Sequence, residues 1–205
     1  MTDQPEGPQL YLIAPTGPAS ALAERLTPVL DALPVACLRL PAPATADEAE
    51  LGRLADIARD LAHARDIAVV IDDHITLAQR HGLDGVHLTN GPKNIRYARK
   101  ELGADAIVGA FCGQSRHDGI NAAEAGADYV SFGPVGKTAL GTGETADTDL
   151  FQWWSDMIET PVVAEGSLDA TSISRLKPIT DFIAIGPEIW TSDDPVAALR
   201  AFFFT

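Results

Sequence analysis

Eight short apolar runs are spaced along the chain, at residues 10–14, 35–40, 67–71, 84–88, 105–111, 129–132, 161–164 and 180–185. Each is nearly continuous in Val, Ile, Leu, Ala or aromatic residues, the pattern of a strand buried on both faces. After each run the apolar spacing changes to that of a helix. The first helix runs from about Ser20, as its cap, to Leu33, with Ala21, Leu22, Leu26 and Leu30 inward and Pro34 as its stop. A long helix opens at Thr45 or Asp47 and ends near Ala64, apolar at Leu51, Leu54, Ile57, Ala58 and Leu61. Shorter patterns cover 75–81, closed by Gly82, 93–102, closed by Gly103, and 115–125. Thr148 or Asp149 caps the helix carrying Phe151, Trp154 and Met157, and Asp169 caps the next. Asp194-Pro195 opens the last, a cap followed by proline at the first helical position.

Strand and helix alternating eight times predict a closed, single-domain (β/α)₈ barrel spanning 1–205. The length is small for that fold, so most connections must be short. The exception is 133–147, rich in Gly and Thr, and long loops in compact barrels are usually functional or mobile.

Composition narrows the function. Acidic residues outnumber basic ones 29 to 15, a formal charge of −14, which disfavours nucleic acid and anionic membranes as partners. An anionic substrate then needs a local cluster of Arg, Lys and backbone N–H groups. Cys37 and Cys112 lie far apart without metal-type spacing, as expected in a reducing compartment. Residues 1–6 have neither the basic start nor the apolar core of a signal peptide, and no apolar run reaches membrane-spanning length. The expectation is a cytoplasmic protein acting on small molecules, with self-association left open.

A barrel's chemistry sits at the C-terminal ends of its strands. The stretch 126–138 supplies the sixth strand, then Gly133-Pro134-Val135-Gly136 and Lys137-Thr138. That turn reads either as a plain connection or as a loop whose N–H groups cradle an anion. Gly166-Ser167 and Gly186 end the seventh and eighth runs, where many barrels hold phosphate. Asp72-Asp73 end the third run; Asp73 is either a Mg²⁺ ligand or the cap of the following helix. Arg39, a strand arginine, either grips a phosphate or pairs with Asp72 or Asp73. His87 reads as a core histidine, and Cys112 as a buried thiol without a neighbouring base.

Three stretches resemble a known family: 70–88, with Val-Ile-Asp-Asp-His and Asp-Gly-Val-His-Leu; 126–134, with Gly-Ala-Asp-Tyr-Val-Ser-Phe-Gly-Pro; and 161–164, with Pro-Val-Val-Ala. In this order they resemble the thiamine phosphate synthase family, whose sister group includes a thiazole tautomerase. The resemblance implies a (β/α)₈ barrel joining hydroxymethylpyrimidine diphosphate to thiazole phosphate, with Mg²⁺ and release of diphosphate. It implies that Arg39 and Lys137 are catalytic and that Asp73 is the metal ligand. It makes Arg39, Asp72, Gly133, Thr138, Gly166, Ser167 and Gly186 the substrate-binding set.

The sequence departs from that pattern at several positions. Pro41 replaces a lysine, Pro92 replaces the second metal carboxylate, and Phe111 replaces a serine. Gly113 stands where the tautomerase has histidine, and Lys137 is displaced within its loop. The losses fall on the diphosphate and metal side, so the sequence leads to an expectation of slow or absent coupling. A barrel that only binds a phosphorylated thiazole, or an isomerase of tautomerase type, are the alternatives.

Overall fold

The computed structural model describes residues 7–43 and 45–203. Residues 1–6, read above for a leader, and Ala44 of the 41–45 loop lie outside them. Each apolar run is a strand: β1 (Gln9–Ile13), β2 (Val35–Leu40), β3 (Ala68–Asp72), β4 (Gly85–Leu88), β5 (Ile107–Phe111), β6 (Tyr129–Phe132), β7 (Val162–Ala164) and β8 (Phe182–Ile185). Each pairs in parallel with the next and β8 pairs with β1, so the sheet closes into the expected barrel. The helices are α1 (Ala19–Ala32), α2 (Glu48–His63), α3 (Ile75–His81), α4 (Ile95–Leu102), α5 (Arg116–Glu124), α6 (Thr148–Met157), α7 (Ala170–Leu176), α8 (Pro187–Trp190) and α9 (Pro195–Phe203).

Side chains alternate across the strands and so build two cores. Leu12, Leu38, Val69, Val86, Val108, Val130, Val162 and Ile183 point outward and are fully buried with the helices' apolar faces. Tyr11, Cys37, Val70, Tyr129, Val163 and Ala184 fill the barrel. A Cβ on Gly109 would lie 1.9 Å from the Tyr129 ring, so glycine makes the room that the tyrosine occupies. The inward phase continues toward the strands' C-terminal ends in a polar set: Arg39, Asp72, His87, Ser131 and Glu165, all buried.

Four boundaries differ from the sequence reading. Ser20 does not cap α1; the helix starts at Ala19 behind Pro18, and the Ala19 N–H donates to Glu50 Oε1 of α2 at 2.6 Å. Asp147, rather than Thr148 or Asp149, caps α6 by accepting the Leu150 N–H. A 3-10 turn over Gly91–Asn94 precedes α4, with Pro92 near its start, where a missing N–H is tolerated. Gly186-Pro187, read as the end of the eighth run, is the cap and first residue of the one-turn helix α8. Asp47 and Asp169 cap α2 and α7 as expected. Among the described residues no helix is long and apolar enough to cross a membrane.

Candidate active site

Closing the barrel brings inward polar residues from distant strands together. Arg39 Nε donates to Asp72 Oδ1 at 2.6 Å and Nη2 to Asp72 Oδ2 at 3.3 Å. Its Nη1 donates to Glu165 Oε2 at 2.9 Å, and Ser131 Oγ donates to Glu165 Oε1 at 2.5 Å. Of the pairings open for Arg39, the structure selects Asp72 and adds Glu165. Burial alone would lower the Arg39 pKa, but Glu165 and Asp72 raise it, so the guanidinium stays charged. Burial raises the Asp72 pKa and outweighs the lowering by Arg39.

His87 lies beside this cluster. Its Nδ1 is 2.9 Å from the Tyr129 hydroxyl, which is 2.6 Å from that of Tyr11. Among the described residues His87 Nε2 has no hydrogen-bond partner, and it lies 4.0 Å from Glu165 Oε1. Burial, then Arg39, holds the His87 pKa well below 6.5, so the imidazole is neutral. This core histidine is therefore half satisfied.

Above the cluster opens a cleft of about 490 Å³. It unites Arg39, Asp72, Lys137, Thr138, Gly166 and Ser167, with Glu188 also in its wall. Lys137, although displaced in sequence, thus reaches the cleft that holds Arg39. Gly133 and Gly136 form no anion cradle. The Gly133 N–H donates to Gly113 O at 3.0 Å and the Gly136 N–H to Gly166 O at 2.9 Å, fastening the loop to its neighbours. Gly166 has φ 91° and a Cβ there would lie 2.8 Å from Pro134, so glycine is required by both backbone and space. Ser167 also has positive φ, 55°. Among the described residues the N–H groups of Gly166 and Ser167 have no hydrogen-bond partner. The N–H groups of Leu168 and Gly186 both donate to the Glu188 carboxylate.

Asp73 does not cap α3. Its φ is 54°, and its exposed carboxylate accepts from the N–H of Thr89 at 3.0 Å and from the Thr89 hydroxyl. The α3 cap position is His74, which makes no side-chain cap bond. Among the described residues no three His, Cys, Asp or Glu side chains are grouped to hold a metal. Phe111 is buried, its ring 3.0 Å from where a Cβ on Gly141 would sit, so it packs beneath the long loop. Burial pushes the Cys37 and Cys112 thiols up to about 12, far from a reactive thiolate.

Strand-end position alone does not single out Glu165, Ser131 or Glu188 in the sequence. The signal for the first two is phase: Ser131 is two residues after inward Tyr129, and Glu165 two after inward Val163.

Residues 10–188 match the family model described as thiamine monophosphate synthase. A thiamine-phosphate synthase of Rhodospirillum centenum is 41% identical over 200 residues, covering 95% of each chain. One from Erythrobacter litoralis is 36% identical over 202 residues, covering 95% of this chain and 93% of its own. The structure of thiamine phosphate pyrophosphorylase from Pyrococcus furiosus superposes with a TM-score of 0.79 at 22% identity, covering 95% of this chain and 93% of that one, a likeness of fold.

Proposed function

The chain belongs to the thiamine monophosphate synthase family, and from that premise we propose that it joins hydroxymethylpyrimidine diphosphate to thiazole phosphate. The bond from the pyrimidine methylene to the diphosphate oxygen breaks, and diphosphate leaves with the electron pair. The thiazole nitrogen lone pair forms the new C–N bond. The observation that carries this reading is the single cleft shared by Lys137, Thr138, Gly166, Ser167 and the Arg39–Asp72 pair.

The roles follow from charge. On the floor, Asp72 and Glu165 already engage all three Arg39 nitrogens, which leaves a diphosphate no free cation there. The diphosphate therefore belongs at the rim, beside the exposed Lys137, whose ammonium stabilises the departing charge. Arg39 is then a positioning residue that holds Asp72 and Glu165 in place beneath the heterocycles. The Gly166 and Ser167 N–H groups serve the thiazole phosphate.

One carboxylate, with no grouped donors among the described residues, fits a Mg²⁺ that arrives with the diphosphate rather than a resident metal; Asp73 would hold it. When bound, the ion supplies neutralisation of the leaving group. A second reading, a barrel that binds phosphorylated heterocycles without coupling them, is favoured by one observation: Asp72 and Glu165 already engage Nε, Nη1 and Nη2 of Arg39.

The test is product analysis with both substrates, with and without Mg²⁺, for the native protein, Lys137→Ala and Asp73→Ala. Thiamine phosphate should form with Mg²⁺. Losing one charge-assisted contact in Lys137→Ala should lower kcat by roughly 10- to 150-fold. Asp73→Ala should raise the Mg²⁺ concentration needed. Tight binding of thiazole phosphate with no product in any condition would select the second reading.

A further inference from the structure

Beside the unbonded Gly166 and Ser167 N–H groups, two further backbone donors at the ends of β7 and β8 are taken from within. Glu188 Oε2 accepts the Gly186 N–H at 2.9 Å, and its Oε1 accepts the Leu168 N–H at 3.2 Å. One carboxylate thus bridges the segment after β7 and the segment after β8. Two oxygens on two backbone N–H groups is also how a phosphate would engage them. Glu188 is half-buried and forms part of the same cleft wall as Gly166, Ser167 and Lys137. A phosphate seated on the unbonded Gly166 and Ser167 N–H groups gains those of Leu168 and Gly186 only if this carboxylate leaves them, and the like charges repel.

We propose that Glu188 is a specificity residue, an internal occupant of the phosphate seat that the substrate's phosphate must displace. The idea rests on the coupling reading for the identity of that substrate. A phosphate tethered to a heterocycle brings further contacts in the cleft, enough to expel Glu188. Free phosphate, and the free diphosphate that coupling releases, have only the seat itself to gain. The carboxylate therefore keeps small anions out of a site that lies next to Lys137 and would otherwise collect them.

The experiment is calorimetric titration of inorganic phosphate and of thiazole phosphate into the native protein, Glu188→Ala and Glu188→Gln, each checked for folding by thermal melt. Glu188→Ala should bind inorganic phosphate at least about tenfold more tightly, the scale of one charge-assisted contact no longer in competition. Glu188→Gln, which keeps the shape and removes the charge, should fall between. Coupling by Glu188→Ala should also become sensitive to inorganic phosphate at concentrations that leave the native protein unaffected. Unchanged or weaker phosphate binding in the folded variants would overturn the proposal and make Glu188 a structural brace. If Glu188→Ala does not fold, Glu188→Gln decides by the same criterion. Tightened phosphate binding in a protein that never couples would uphold the role of Glu188 and remove the coupling reading. Coupling without any tightening would do the reverse.

Discussion

Removing Arg39 would leave the Asp72 and Glu165 carboxylates buried without their cation. Arg39→Met should therefore cost about 3–5 kcal/mol in urea unfolding, and Asp72→Asn less, because it leaves Arg39 with Glu165. His87 gives a second prediction. Its folded pKa is depressed, so below about pH 6.5 the unfolded chain takes up a proton that the native imidazole refuses. Stability from this residue is present above that pH and lost as pH falls, with a slope of up to about 1.4 kcal/mol per pH unit. Melts from pH 7.5 down to about pH 5 should show the decline, and His87→Gln should flatten it. At this scale the sequence was half legible. A strand arginine announces a buried partner, but Asp72 and Asp73 are adjacent and only strand phase separates them. Asp73, at φ 54°, turns away to Thr89, while Glu165, 126 residues from Arg39, reaches it only through barrel closure.

The elements place the cleft through a few tight backbone contacts. Gly136 N–H donates to Gly166 O, and Gly166 packs against Pro134, so the β6 loop is fastened to the end of β7. Gly166→Ala should cost roughly 1–3 kcal/mol from its positive φ, with further loss from the clash, and should shift the loop that carries Lys137. A thermal melt reads the first effect, and limited proteolysis within 137–145 the second. An unchanged melt would show that the loop yields easily. The strands were legible as continuous apolar runs and most helices by their 3.6 period, because both patterns are set by local burial. The helix starts were less so. Asp147 precedes Thr148 and Asp149, all three suitable caps, and the chain's entry angle decides among them. At α1 the partner of the first N–H is Glu50, 31 residues away. Gly186-Pro187 has the same local sequence as a turn or a one-turn helix, and the structure makes it the start of α8, which brings Glu188 back over Gly186.

For the whole molecule, eight alternations were enough to foresee closure, since parallel strands buried on both faces need helices around them and no free edges. The site was less legible, because its residues come from six strands or strand ends and meet only once the barrel is closed. The charge of −14 acts at this scale too. It repels anionic substrates until they reach Lys137 and the loop N–H groups, so kcat/KM should rise several-fold as salt goes from about 0.01 to 0.15 M. A fall would mean that local positive charge dominates the encounter. Coupling of the two substrates in the cleft above the Arg39 cluster is decided by quantifying both products together. Native protein is mixed with hydroxymethylpyrimidine diphosphate, thiazole phosphate and Mg²⁺, quenched over time, and analysed for thiamine phosphate and diphosphate. The two should appear in equal amounts and at the same rate. Diphosphate released without thiamine phosphate, or neither product despite bound thiazole phosphate, would contradict it.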